Sequence, residues 1–103
     1  MNFGIAIEAL KAGKRVSRQG WNGKVMFVFM QVPSTIHKDI VPKMQSLPES
    51  VKKEFVRRFN DTSEQIDAIY YNNQLAIVGL SNLISGWNPS TSDVLSEDWT
   101  ILD

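Results

Sequence analysis

Val25-Met26-Phe27-Val28-Phe29-Met30-Gln31-Val32 is apolar on both alternating faces, with Val25, Phe27 and Phe29 on one side and Met26, Val28, Met30 and Val32 on the other. A short run so rich in β-branched and aromatic side chains suits a strand in the middle of a sheet, covered on two sides. Just upstream, Gln19-Gly20-Trp21-Asn22-Gly23-Lys24 has the glycines and asparagine of a loop, and that loop carries a tryptophan. Lys14-Arg15-Val16-Ser17-Arg18 before it reads as a polar edge strand. Further back, Phe3, Ala6, Ile7 and Leu10 recur at helical spacing, which predicts a helix over 3–12 with Asn2 as N-cap and Gly13 as its left-handed stop.

Downstream, Pro33 and Pro42 predict an irregular connection over 33–47 with a short strand near Ile36–Val41. Ser46 and Glu49 have capping-box spacing, and Val51, Phe55 and Phe59 line one face of a helix running to about Phe59. On its other face Glu49 stands i, i+4 from Lys53, and Glu54 from Arg58. Asp67–Tyr71 and Gln74–Val78 flank Asn72-Asn73, a pair suited to a type I′ turn. The hairpin so predicted sets Tyr70 opposite Leu75 and Ala68 opposite Ile77, with Asp67 on the face of Ile69, Ala76 and Val78. In the tail, Ser90-x-x-Asp93 signals a short helix from Thr91, and Thr100-Ile101-Leu102 closes the sheet. The expected fold class is α+β: a small antiparallel sheet with an N-terminal helix, a central helix and a short C-terminal helical turn, in a single domain over 1–103.

Composition narrows the function. Lysine plus arginine (11) balance aspartate plus glutamate (11), which removes the general phosphate attraction that polymeric nucleic acid binding relies on. No cysteine is present, so disulfides, thiolate chemistry and cysteine-ligated metals are excluded. The opening residues lack the pattern of a secretory leader and the longest apolar run is far short of a membrane span, so a cytoplasmic protein is expected. His37, between Ile36 and Lys38, has no motif context for a triad and reads as a solvated loop histidine. No nucleophile elbow, P-loop or dinucleotide fingerprint occurs.

What remains is a repeated Gly-Trp-Asn, at 20–22 and 86–88. A flat indole is a stacking platform for a purine, and a neighbouring amide both donates to and accepts from a base edge. Trp21, Asn22 and Trp87 are therefore candidate binding residues, while Trp99, which leads into Ile101-Leu102, reads as core. Ser90 reads first as an N-cap, at a helix start whose N–H groups also suit a phosphate. Lys24 and Arg18 flank the first tryptophan loop and add local positive charge.

The stretch from Met1 to Lys24, with its Gly13-Lys14-Arg15-Val16-Ser17-Arg18 and Gly20-Trp21-Asn22, resembles the start of the Thoeris anti-defence protein 2 family. Trp87-Asn88-Pro89-Ser90-Thr91-Ser92-Asp93-Val94-Leu95-Ser96-Glu97-Asp98-Trp99 is similar to that family's closing tryptophan, serine, aspartate, leucine and Asp-Trp pattern. The resemblance covers residues 1 to about 32 and 86–103, and residues 40–66 read as an insertion relative to shorter members. It implies a phage protein in the cytoplasm of the infected bacterial host. There it acts as a sponge that binds the immune signal glyco-cyclic ADP-ribose without degrading it, so that the defence effector does not fire. It further implies no enzyme activity and no cofactor. The assembly it implies is a homotetramer whose pockets draw on more than one subunit, with the two aromatic motifs at the adenine end. The ligand-binding set expected is thus Trp21, Asn22, Lys24, Trp87, Ser90 and Asp93, with no catalytic or metal-binding residue. Two alternatives stand beside it. One is a sponge for cyclic dinucleotide signals, alone or in addition, which some members take at a separate site. The other is a small toxin or protein-interaction module, for which the loop aromatics would form a partner patch.

Overall fold

A computed structural model describes residues 1–21, 26–61, 63 and 65–102. The chain divides into two compact units, one formed by Met1–Val32 with Asn73–Asp103 and the other by Pro33–Asn72. The chain passes between them at Val32–Pro33 and again at Asn72–Asn73.

The first unit begins with helix α1 (Phe3–Lys11), where the Asn2 side chain accepts from the Ile5 amide at 2.9 Å. At its other end Gly13 takes φ +88°. The Gly13 and Lys14 amides donate back to the Leu10 and Ala9 carbonyls, both at 3.0 Å, closing a Schellman motif that a Cβ-bearing residue at 13 would strain. Strands β1 (Val16–Arg18) and β2 (Phe27–Gln31) follow. The second unit holds β3 (Ser34–His37), α2 (Glu49–Phe59) and β4 (Ala68–Tyr71), and after it come β5 (Gln74–Val78), β6 (Ile84–Gly86), helix α3 (Thr91–Leu95) and β7 (Trp99–Ile101). The five strands of the first unit form one antiparallel sheet in the order β6-β5-β2-β1-β7. Ala6, Ala9 and Leu10 of α1 pack with Val16, Val28 and Trp99 to make the core.

Two expectations for this sheet are corrected. Residues 14–18 do not make an edge strand: β1 is paired on both sides, by Val16 with Val28 of β2 and with Ile101 of β7. Polar residues on a strand report that one face is open, which in an antiparallel sheet says nothing about position within the sheet. β2 is central as expected, but its cover is uneven. Val28 is fully buried beneath α1, while Phe27 and Phe29 on the other face are half-buried with rings 6.3 Å apart.

The second unit contains β3 (Ser34–His37), a 3-10 turn at Val41–Lys43, helix α2 (Glu49–Phe59) and β4 (Ala68–Tyr71). The short strand thus lies ahead of its expected place, and His37 ends it rather than sitting in a loop. α2 starts without the expected capping box: Pro48 is its N-cap and no side chain caps it. A residue before proline avoids helical backbone, so Leu47 cannot extend the helix toward Ser46. The ion pairs shift as well, with Glu49 meeting Lys52 rather than Lys53, and Glu54 meeting both Arg57 and Arg58.

The hairpin is overturned. β4 pairs with β3 in a two-stranded sheet and β5 pairs with β2 in the five-stranded one. Tyr70 therefore opposes Thr35 rather than Leu75, Ala68 opposes His37 rather than Ile77, and Leu75 opposes Met30. Neither Asn72 nor Asn73 has the positive φ that a type I′ turn needs. Asp67 is exposed in the second unit and its backbone carbonyl receives the Lys38 amide at 2.8 Å, so it does not share a face with Ala76 and Val78.

Candidate functional site

Three tryptophans converge in the first unit. The pairing of β7 with β1 places Trp99 opposite Arg18, immediately before the 3-10 turn Gln19–Trp21. β6 ends at Gly86, and the next amide, that of Trp87, donates to the Leu75 carbonyl at 3.0 Å. Trp99 is 2% exposed and forms the hub. Trp21 stands edge-on to it at 5.8 Å and 79°, and Trp87 edge-on at 6.0 Å and 80°. Phe3 of α1 completes the cluster, 5.4 Å from Trp99 and 6.5 Å from Trp87. Ring pairs at such angles present a partly positive edge to a negative face. The Trp99 indole N–H donates to the Asp93 carbonyl at 2.9 Å, so burying that ring leaves no donor unmet. Trp21 and Trp87 are half-buried, each packed against the core cluster around Trp99.

A polar network borders the aromatics. The Arg18 guanidinium donates from Nε to Asp98 at 3.0 Å and from Nη1 to Asp93 at 2.9 Å. Asp98 also accepts from the Ser96 hydroxyl and from the Gly20 amide, the latter at 3.0 Å, while its backbone carbonyl receives the Gln19 amide at 3.0 Å. The Ser96 hydroxyl and Arg18 hold the Asp98 carboxyl down at about 2. Burial acts to raise Asp93, but the Ser90 amide, Arg18 and the Ser90 hydroxyl outweigh it and leave that carboxyl below its usual range. Both carboxylates in turn raise Arg18. All three groups are therefore charged at neutral pH, with one positive charge between two negative ones.

Of the expected binding residues, Trp21 and Trp87 are brought to the same buried ring. Ser90 and Asp93 sit beside them as the capping box of α3: Ser90 Oγ accepts from the Asp93 amide at 3.1 Å, and Asp93 Oδ2 from the Ser90 amide at 2.8 Å. With its other oxygen on Arg18, Asp93 holds the frame, and its carboxylate covers the helix start that was read as suiting a phosphate. Asn22 and Lys24 lie outside the described residues. Arg18 brings no net positive charge, being neutralised by its two partners. In the sequence Asp98 stands only as part of the Asp-Trp pattern beside Trp99, with no binding or positioning role attached to it.

The second unit has a cavity of its own, about 350 Å³, between α2 and β4. Its lining is mostly apolar, Val51, Phe55, Phe59 and Ile69 among it, with Tyr70 and Tyr71 as neutral hydrogen-bonding groups and, among the described residues, Arg58 as its cation, bound to Glu54 at 2.9 Å. Such a lining offers little to a ligand rich in phosphate and ribose, which needs donors and acceptors aimed at it. His37, exposed in the same unit, accepts from the Asp39 amide at Nδ1. Among the described residues no cluster of histidine, aspartate or glutamate could hold a metal ion, and no helix is long and apolar enough to cross a membrane.

The first tryptophan motif lies near the start of the chain and the second, with the Asp-Trp pair, near its end, and similarity to known proteins runs through everything between. The model of the Thoeris anti-defense 2-like domain matches residues 1–102. Thoeris anti-defense 2 of Bacillus phage SP01 is 36% identical over 102 residues, covering 99% of this chain and 94% of its own length. With a full-length family match and a relative of that identity and coverage, the chain belongs to the Thoeris anti-defense 2-like family.

Proposed function

We propose that this protein is a phage anti-Thoeris sponge, acting in the cytoplasm of the infected bacterial host, that binds glyco-cyclic ADP-ribose and holds it unaltered. Family membership supports the coarse role, opposition to Thoeris defence. The observation that carries the finer one is the pair of half-buried indoles, Trp21 and Trp87, braced edge-on against the buried Trp99. A rigid aromatic platform suits an adenine face and is ordered before the ligand arrives, which lowers the entropy lost on binding. Sequestration without turnover has to be tight, and nanomolar affinity corresponds to about −12.3 kcal/mol. Two stacking contacts at about 1 to 3 kcal/mol each supply part of that.

The assembly is a homotetramer in this reading, with neighbouring subunits completing the pocket. Support comes from the apolar side chains the first unit leaves uncovered around β6, with Leu80 60%, Leu83 67% and Ile84 61% exposed. The test is to incubate the protein with glyco-cyclic ADP-ribose, separate bound from free, denature by heat and weigh what is released. Intact ligand recovered in stoichiometric amount is the expected result. A hydrolysed product would make the protein an enzyme, and no captured nucleotide would remove the sponge.

A further inference from the structure

We infer that Asp98 is the positioning residue for Trp21, fastening the turn that carries this indole to the start of β7; the inference rests on reading Trp21 as a ligand platform. Trp21 closes a 3-10 turn of only three residues, and the other two are both tied to Asp98. The Gln19 amide donates to its backbone carbonyl and the Gly20 amide to its carboxylate, each at 3.0 Å. The carboxylate is in turn fixed by Arg18 at 3.0 Å and by the Ser96 hydroxyl. Residue 20 is fitted to this contact: a Cβ there would stand 3.2 Å from Asp98 Oδ2, closer than such a contact normally allows. Gly20 has no positive φ, so close approach to the carboxylate, rather than backbone conformation, favours glycine at this position. Trp99, the next residue, supplies the ring against which Trp21 packs, so Asp98-Trp99 sets both the backbone and the side chain of the platform. Asp98 touches no ligand in this arrangement; it acts through the loop.

Edge-on indoles about 6 Å apart couple their electronic transitions and give a paired band in far-ultraviolet circular dichroism, which reports the Trp21–Trp99 geometry without any ligand. The Trp21 share of that band is defined by Trp21→Ala. Asp98→Ala should lose it and, from the loop side, Gly20→Ala should weaken it. Glyco-cyclic ADP-ribose affinity of the folded protein should fall roughly 3- to 10-fold, the scale of one side chain that must be ordered afresh on binding. Asp98→Asn keeps an oxygen for the Gly20 amide but turns its NH2 toward the Arg18 Nε donor, so its band and affinity should lie between those of the parent and of Asp98→Ala. Should Asp98→Ala fail to fold, Gly20→Ala carries the test, because it leaves the aspartate in place. An unchanged band in Asp98→Ala, or in Gly20→Ala where that variant alone folds, overturns the positioning role. A lost band with unchanged affinity leaves the loop geometry intact as a finding and instead breaks the reading of Trp21 as a platform.

Discussion

The two units spend the same kinds of residue differently. In Met1–Val32 with Asn73–Asp103, Trp99 and Leu10 are almost completely buried, and Val16, Val28 and Ala6 entirely so, under one helix on a five-stranded sheet. In Pro33–Asn72 the buried apolar residues among those described are Val41, Ala68 and Ile69. There the two aromatics of α2, Phe55 and Phe59, stack with each other at 6.5 Å beside a cavity rather than filling it. A two-stranded sheet with one helix is marginal by itself. The first unit therefore supplies the rigidity a binding platform needs, and the second is the more loosely packed of the two.

The sharpest way to break that contrast is at the hub. Trp99→Ala removes a ring that contacts Phe3, Trp21 and Trp87, and is expected to cost about 3 to 5 kcal/mol of stability in urea denaturation. Phe55→Ala in the half-open second unit should cost nearer 1 kcal/mol. Comparable losses at the two positions would mean that the second unit is as firmly packed as the first.

Next in size is the effect on ligand. Trp21→Ala and Trp87→Ala should each weaken glyco-cyclic ADP-ribose binding roughly 5- to 150-fold by calorimetry, the loss of about 1 to 3 kcal/mol of stacking, with a melting temperature near that of the parent. If both variants instead unfold and any folded fraction binds normally, the indoles are core and the platform fails. Replacing Glu49–Phe59 by a short linker tests the other half of the contrast. Affinity should stay within about twofold while hydrogen exchange speeds up in residues 33–72. A folded, oligomeric variant that no longer binds would move part of the site into the second unit.

The same contrast decides what was legible beforehand. α1 with Asn2 and Gly13, the capping box of α3, the central place of β2 and the closing strand β7 all follow from local signals, and the structure contains them. The error at Asn72-Asn73 also came from a local signal. A turn dipeptide competes there with two longer pairings, Gln31 with Gln74 and Ser34 with Tyr71, and pairing across more than thirty residues leaves no short-range mark. β6 escaped notice because Ile84-Ser85-Gly86 is short and its residues are exposed. At the site, Trp99 reads as core from the apolar residues that follow it and is buried, while Trp21 and Trp87, each between a glycine and an asparagine, are half-buried beside it. Asp98 could not be read in this way, since its partners Arg18 and Gly20 lie 80 and 78 residues away and only folding brings them together.

The smallest expected effect separates the two units by their carboxylates. Asp98 in the first and Glu54 in the second are both held at about 2, Asp98 by the Ser96 hydroxyl and Arg18, and Glu54 by Arg57 and Arg58. A carboxyl whose folded pKa is depressed favours folding at pH values above its unfolded pKa, near 4, and that contribution is lost as pH falls through the folded value. Stability should therefore be level from neutral pH to about 5 and decline between about 4 and 2. Salt tells the two sites apart. The Glu54 side chain is 43% exposed and its arginines 66% and 61%, whereas Asp98 is 28% exposed and Arg18 20%. At about 1 M salt the screening length is about 3 Å, so the open pairs of α2 lose most of their attraction. Asp98 keeps more, because the hydroxyl of Ser96 is a neutral donor that salt does not screen. Carboxyl carbon shifts followed by NMR during acid titration should show Glu54 moving back toward 4 in high salt and Asp98 moving less. Equal movement of the two would mean that the network around Trp21 is as open to solvent as the surface of α2, and the rigidity assigned to the first unit would not extend to its polar border.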